Sequence, residues 1–536
     1  MRRAEIEGNL VEVVSGSIFP ARVTIIDGKV ADVRRLRETR DRFILPGLID
    51  GHIHIESTLL CPTRFTEAAL AHGTTAVVAD PHEIANVLGM EGVRYMVEEA
   101  ERCPLRIYYA APSCVPAVHD QDFGFRLGWR EVRELLSSPR FISLGEVMDF
   151  REVLRDGPEI MSKIEVAKEL GKQVDGHAPG LGGADLETYI AAGITSDHEC
   201  TRAEEAEEKH RLGMRIMVRE GSASKDMHAL MPFARDHECL LVVDDLDASD
   251  LAKGHLDALL RKAVAEGMDQ MHAVRAVTYW PARHFNLPLG AISEGNAADI
   301  TVVRDLQGFE VLETWIGGVR VAKGPKVNFT PIPSRIGPAI LAQEIGPEDL
   351  RTSHPGPIAE VGCQVAMADS IFSMDTATQL NVVDGVIMPD LERDVLLLGV
   401  VNRYVRRRPL LTFANGFGLS KGAIASSVSH DAHNIIGVGT THEELAEALN
   451  LVISQGGGYV ALDGSSSCTL PLPIAGLMSD LPCQEVAAQV ERMNLFVSSM
   501  GCPLPSPFMT LSFQDPAFRR AVMGGMGATE GEMAVA

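Results

Sequence analysis

Residues 9–35 carry short apolar segments broken by turn signals at Ser15-Gly16 and Asp27-Gly28, a pattern that predicts a small β-sheet. A related pattern returns at 289–322, where Ala298-Asp299-Ile300-Thr301-Val302-Val303 reads as a strand and Ile316-Gly317-Gly318-Val319 as another hairpin. Two β pieces so far apart in sequence can close one sheet domain around whatever lies between. Between them, eight short apolar runs alternate with charge-rich helical stretches, at 43–49, 75–79, 105–110, 141–144, 173–174, 194–195, 214–218 and 240–243. Repeated βα units predict a parallel sheet, and eight of them predict a (β/α)8 barrel with its functional side chains at the C-terminal strand ends.

A Pro- and Gly-rich stretch at 324–357 leads into a segment rich in Val, Gly and Leu, with a helix-like stretch at 442–455 and strand-like ones at 385–388, 395–401 and 459–462. The fold class that follows is α/β. We expect a TIM-like (β/α)8 barrel over 45–285, a small split β-sandwich domain from 1–44 plus 286–340, and a C-terminal α/β domain over 345–536.

Composition narrows the partners more than the fold. The 536 residues are 46% hydrophobic and 23% charged, close to a globular average, and 49 basic residues against 73 acidic ones leave a net charge of −24. Such a field repels phosphate backbones and anionic lipid, so neither nucleic acid nor a membrane is expected as a partner. The nine cysteines are scattered, with no Cys-x-x-Cys pair, and neither a signal peptide nor an apolar run of about 18 residues is visible, which points to the cytoplasm.

The 17 histidines carry the chemistry. Pro46-Gly47-Leu48-Ile49-Asp50-Gly51-His52-Ile53-His54 is an apolar strand ending in His-x-His, and residues two apart on a strand face the same side, so both imidazoles can reach one metal. Later strand ends repeat the theme with Asp80-Pro81-His82-Glu83, Glu146 in SLGEVMD, His177 in VDGHAPG, His198 in SDHE, and Asp244-Asp245. A single histidine in such a place is more often a hydrogen-bonded core residue, but six coincidences at the same end of successive strands favour a site. His52, His54, His177, His198, Glu146 and Asp244 exceed the three protein ligands of one open zinc and suit two ions about 3.5–4 Å apart, with Glu146 as the natural bridge. Imidazole and carboxylate ligands suit Mn, Fe or Zn, and the residues alone do not choose.

Longer blocks carry a resemblance. PGLIDGHIHIESTLL (46–60), HGTTAVVADPHEIANVLG (72–89), PSCVP (112–116), SLGEVMDF (143–150), GKQVDGHAPGL (171–181), AAGITSDHE (191–199), MVREGSASKDM (217–227) and GFGLSKGAIASSVSHDAHNIIGVGT (416–440) resemble the bacterial and archaeal adenine deaminase family of the amidohydrolase superfamily. In that family the fourth-strand ligand is Glu, where hydantoinases, dihydroorotases and ureases use a carboxylated Lys; Lys163 and Lys172 are expected to be solvated on a polar helix face. The resemblance implies hydrolysis of adenine to hypoxanthine and ammonia by a metal-bridged hydroxide attacking C6, with two divalent ions, Mn or Fe first and Zn as a further option. A small neutral purine fits an acidic protein without a phosphate loop, and the His-x-Glu and Pro-Cys-x-x-Cys signature of the zinc deaminases is absent.

Roles follow from the same implication. Asp244 would shuttle the nucleophile's proton, His82 would hydrogen-bond the nucleophile or the tetrahedral centre, and Glu83 would protonate a ring nitrogen or cap a helix. Glu56, Ser57, Arg219 and Ser222 are candidates for purine binding, though Glu56 and Arg219 equally suit ion pairs. The cluster Ser429-His430-Asp431-Ala432-His433-Asn434 would either form a turn or close over the barrel mouth, with His433 touching substrate or a further metal. After Asp245 the chain reads Leu246-Asp247-Ala248-Ser249, where the family usually has a basic residue and His-Pro, so specificity for the base is open there; Val118-His119-Asp120 adds an unassigned polar cluster. A related amidohydrolase acting on another aminopurine or cyclic amidine, and an inactive metal-binding scaffold, use the same residues; the complete ligand set weighs against the scaffold. The extra domain is compatible with a homo-oligomer.

Overall fold

A computed structural model describes residues 2–117, 124–368 and 374–516. The strands Arg3–Glu12, Ser17–Ile26 and Lys29–Arg35 form an antiparallel meander through the two turns read from the sequence. The strand Phe43–Pro46 pairs parallel with the first of them and antiparallel with Ile300–Val303, joining the N-terminal meander to the later hairpins in one continuous eight-stranded sheet. Ala21, Val23 and Ile25, two apart on one strand, point to the same side and pack with Ile6, Leu10, Ile300 and Val302. The apolar run 43–49 therefore serves two sheets, with the break at Pro46-Gly47, where the Gly47 N–H turns to the Asp299 carbonyl at 2.9 Å.

The barrel strands are β1 (Leu48–Ile53), β2 (Thr74–Ala79), β3 (Arg106–Ala111), β4 (Phe141–Val147), β5 (Gln173–Gly176), β6 (Ser196–Asp197), β7 (Arg215–Arg219) and β8 (Leu240–Val242). β1 to β5 pair in order, all parallel, as do β6 to β8. β1 and β2 are buried along their whole length, as parallel strands covered on both faces should be. The ring closes just past β8: Asp244 N–H donates to the His52 carbonyl at 3.1 Å, and His54 N–H donates to the Asp244 carbonyl at 3.3 Å. β6 lies two residues beyond the apolar pair 194–195, because this short strand is built from the polar residues Ser196 and Asp197.

The C-terminal part is a nine-stranded mixed sheet. The helix Thr441-capped His442–Ser454 lays Leu445, Leu449 and Val452 on it, a spacing that puts all three on one helix face. The strands Ala423–Ser426 and Ile435–Gly439 are neighbours in this sheet, and their connection, 427–434, reaches the mouth of the barrel. Among the described residues no helix is long and apolar enough to cross a membrane.

One buried phenol ties two barrel ends together. The Tyr189 hydroxyl donates to the Val147 carbonyl at 2.8 Å and accepts from His177 N–H at 3.0 Å, with no solvent exposure. Tyr189→Phe removes both bonds and leaves two buried backbone groups unpaired, so we expect a stability loss of about 1–3 kcal/mol in denaturant unfolding; an unchanged midpoint would show that these bonds carry nothing.

Candidate active site

The C-terminal ends of the barrel strands bring the charged residues to one place. β1 leads through His52 to His54, whose rings lie 4.9 Å apart edge to face; β4 carries Glu146; and His177, His198 and Asp244 follow β5, β6 and β8. Glycine precedes Glu146 because a Cβ on Gly145 would overlap the Asp80 carboxylate, whose Oδ2 accepts the Glu146 N–H at 3.1 Å. Asp244 holds φ 58°, a left-handed conformation that Asp tolerates better than most residues and that surrounding contacts must sustain.

Glu146 faces two ways. Its Oε1 lies 3.2 Å from His54 Nε2, while its Oε2 lies 2.6 Å from His177 Nδ1 and 3.2 Å from His198 Nε2. Asp244 Oδ1 lies 3.2 Å from His54 Nε2 and 3.4 Å from His52 Nε2. Overlapping triads result, His52/His54/Asp244, His52/Glu146/His198, His54/His82/Glu146 and His177/His198/Glu199, with the ligand atoms of each within 4.8 Å of one another. His52 Nε2, His177 Nε2 and Glu199 Oε2 are buried and make no hydrogen bond. Nitrogen and oxygen donors crowded in a dry site with unpartnered atoms fit divalent metal ions, and these residues are able to hold them.

The cavity between them measures about 20 Å³, room for about one water. The barrel supplies most of its wall, and His430, Asp431 and Phe513 of the C-terminal part supply the rest. The two parts meet directly where His82 Nε2 lies 3.1 Å from Asp431 Oδ1. His430 stacks on Phe513 with ring centroids 4.6 Å apart. A roomier cavity of about 270 Å³ lies between the β3 and β4 ends, lined by Cys114, Asp149 and Lys163 among others, and contains none of the histidines.

Burial alone would push the Glu146 carboxyl up, but the imidazoles of His198, His177 and His54 outweigh it and hold the group well below the usual carboxylate range. Asp244 is likewise held far down, by His52 and His54 against the cost of burial. The partners respond in kind: burial disfavours the charged imidazole, yet Asp244 and Glu146 raise His54, and Asp431 and Asp80 raise His82, both well above the ordinary histidine value.

A second set of acids adjoins the cavity, with Asp245 in its wall and Glu83 behind it. Ser57 Oγ lies 2.8 Å from Glu83 Oε1 and 2.6 Å from Asp245 Oδ1. A hydroxyl has one proton to give, so the other contact needs a proton from a carboxyl group. Burial raises the Glu83 carboxyl above the ordinary carboxylate value. Glu83 Oε2 stands 3.8 Å from His433 Nε2. The Ser429 N–H donates to His433 Nδ1 at 3.4 Å, and burial holds His433 well below the ordinary value, so its ring is neutral with the proton on Nε2. Glu83, His430 and His433 also form a group whose ligand atoms lie within 4.8 Å of one another, with Glu83 Oε2 and His433 Nε2 buried and unpartnered.

The residues read from the sequence thus separate. His54, His82, Glu146, His177, His198, Asp244 and Arg219 line the cavity, and His52 abuts Asp244; Glu56, Ser57, Glu83, Ser222 and His433 lie behind it. Glu56 Oε1 accepts from Ile84 N–H at 3.3 Å at a helix start, and burial beside Glu83 pushes its carboxyl up to about 8. Ser222 Oγ donates to Asp250 Oδ2 at 2.7 Å. Arg219 is fully engaged by acids: Nη1 donates to Glu199 and, at 3.2 Å, to Asp244 Oδ2, and Nε donates to Asp226 Oδ2 at 2.6 Å, which leaves Nη2 alone without a partner. In the atypical loop, Asp247 Oδ1 caps a short helix by accepting from Ser249 N–H at 2.7 Å and Asp250 N–H at 3.0 Å, away from the cavity.

Two expectations are corrected. Lys163 is buried and donates to the Ser113 carbonyl at 2.7 Å, and Lys172 is half-buried and donates to the Phe141 carbonyl at 2.7 Å; neither is a freely solvated side chain, because each stem crosses apolar ground to reach a strand carbonyl. Sequence reasoning missed Glu199, whose signal was its place beside His198 in SDHE, and it chose His433 where His430 and Asp431 face the cavity. Val118-His119-Asp120 lies outside the described residues.

Comparisons with known proteins agree along the chain. Residues 43–227 and 223–321 match the amidohydrolase family, and residues 370–516 match the adenine deaminase C-terminal domain. An adenine deaminase from Methanosphaera stadtmanae is 42% identical over 511 residues, covering 95% of this chain and 94% of its own. One from Methanothermobacter thermautotrophicus is also 42% identical, over 510 residues with the same coverage, and one from Salinibacter ruber is 40% identical over 517 residues, covering 95% of this chain and 93% of its own.

The raised imidazoles set a sign for metal uptake. Groups held above their ordinary value keep protons at neutral pH in the metal-free protein, and metal must displace them, so affinity should rise with pH. Calorimetric titration of metal-free protein at pH 7 in buffers of different ionisation heat should show proton release; uptake or no exchange would contradict the assignment.

Proposed function

The chain belongs to the adenine deaminase family of amidohydrolases, and on that basis we propose a complete division of labour for its site. It hydrolyses adenine to hypoxanthine and ammonia. The carrying observation is the two-way contact of Glu146, one oxygen towards His54 and the other towards His177 and His198. In this reading His52, His54 and Asp244 would hold one divalent ion and His177 and His198 a second, with Glu146 in reach of both sets. The donors are imidazole and carboxylate without thiolate, which suits Mn or Fe and also accommodates Zn. Bound divalent ions acidify water and so supply a strong oxygen nucleophile near neutral pH.

The protein's own groups do the rest. Asp244 Oδ1 faces the cavity while Oδ2 is fixed by Arg219, so one carboxylate oxygen is oriented to take the proton that water loses as it attacks C6. With Nε2 held by Asp431, which raises the His82 imidazole well above the ordinary histidine value, Nδ1 is left to donate to the developing negative charge at the tetrahedral carbon. Glu83, raised by burial, stands in a hydrogen-bonded chain through Ser57 to Asp245, which lines the cavity. A proton from Glu83 would pass along that chain to the purine ring or the departing amine and return the same way. The C–N bond then breaks with the leaving group as ammonia. Ser57, Glu56 and Ser222 act by positioning, and Arg219 Nη2 is the part of that side chain left to meet the base.

All nine cysteines are free thiols, which suits a reducing cytoplasm, and hydrolysis of adenine would itself place the protein in purine salvage and adenine catabolism. A homo-oligomer fits the same reading.

Two measurements test it. Ammonia release should follow addition of adenine to Mn- or Fe-loaded protein, and Glu146→Gln should abolish it and lower the bound metal; release from hydantoins but not adenine would defeat the substrate, and an active variant with full metal would defeat the bridge. Ser57→Ala should lower kcat by about 10²-fold with little change in KM, because a proton path is cut and no contact to the base is lost. A change confined to KM would return Ser57 to substrate binding.

A further inference from the structure

Behind His177 and His198 lies a buried charge cluster that touches neither the cavity nor solvent. Lys209 is fully buried on the helix Ala203–Arg211. Its ammonium has three protons and three acceptors: the Ala178 carbonyl at 2.6 Å, Asp197 Oδ2 at 3.0 Å and Glu205 Oε1 at 2.8 Å. Asp197 completes the grip, since its Oδ1 accepts the Ala178 N–H at 2.8 Å and its Oδ2 accepts the Glu199 N–H at 3.2 Å. Glu205 Oε1 also takes the Gly180 N–H at 2.8 Å.

Both polar groups of the Ala178 residue are therefore clamped, and Ala178 follows His177 directly. Asp197 immediately precedes His198. The Lys209–Asp197 pair thus fixes the two backbone points from which these imidazoles project, with ring centroids 5.3 Å apart. His52 and His54 are held by other means: His52 N–H donates to Asp50 Oδ1 at 3.2 Å, and His54 Nδ1 lies 3.2 Å from the Asp80 carbonyl. A buried ion pair is a poor device for stability alone, since an apolar pair of similar volume serves as well or better. Here its value lies in the directions it imposes.

We propose that Lys209 is a positioning residue for one of the two metal positions, setting the separation of His177 and His198 while leaving the His52/His54 position untouched. This rests on the binuclear reading above.

The test compares wild type, Lys209→Met and Asp197→Asn by metal content after dialysis, chelator competition and steady-state kinetics over a metal series. Wild type should hold two ions. Lys209→Met should keep one at wild-type affinity and bind the other about 10–100-fold more weakly, with excess metal restoring kcat at unchanged KM. Asp197→Asn, which is isosteric and still able to accept the Ala178 N–H, should weaken the same ion by less. A folded Lys209→Met with both ions at wild-type affinity overturns the proposal, and so does Asp197→Asn with that result if Lys209→Met does not fold. Equal weakening of both ions also overturns it. A wild type that holds a single ion refutes the binuclear reading instead, and the affinity of that ion in Lys209→Met then decides the part played by Lys209.

Discussion

Two backbone hydrogen bonds, between His52 and Asp244 and between Asp244 and His54, close the barrel and assemble its chemistry in one step. The residues that complete the ring of strands are also those whose side chains converge, so the register of the seam fixes which groups face inward. A slip of one residue in β1 would turn both imidazoles outward and bring Ile53 into the cavity. Every distance around Glu146 inherits this constraint, because Glu146 lies between the seam on one side and the β5 and β6 ends on the other.

The electrostatics of the site follow from crowding. Glu146, Glu199 and Asp244 are buried among His52, His54, His177 and His198, and the imidazoles hold Glu146 and Asp244 ionised against the cost of burial. The more distant acids behave differently. Burial raises Glu83, which faces His430 and His433 at 3.7 and 3.8 Å, and pushes Glu56 up to about 8. One small volume thus contains carboxyl groups held below their ordinary range beside others raised above it, according to the balance of burial against neighbouring imidazoles.

Much of this was legible in the sequence. The β1, β4 and β8 ligands sit at the ends of apolar runs, and the eight-run alternation maps onto the eight parallel strands. Periodicity did not reveal that 43–49 serves two sheets, since the break is a Pro-Gly punctuation inside an unbroken apolar run. β6 was misplaced by two residues because its residues are polar and its pairing is set by neighbours. The grip of Lys209 on the Ala178 peptide, the engagement of Arg219 by three acids and the choice of His430 over His433 depend on which way side chains turn in three dimensions, and no spacing rule encodes that. Lys163 shows the converse, a charged residue on an amphipathic helix whose stem lies over apolar ground.

The barrel and the C-terminal part, which share one continuous apolar core, meet over the cavity at His82 and Asp431, and the room between them is about that of one water. A planar base cannot slip into such a gap while it is shut. Admitting a base requires the groups at this contact to move apart, so the contacts that close over the cavity oppose both entry of the base and release of the product.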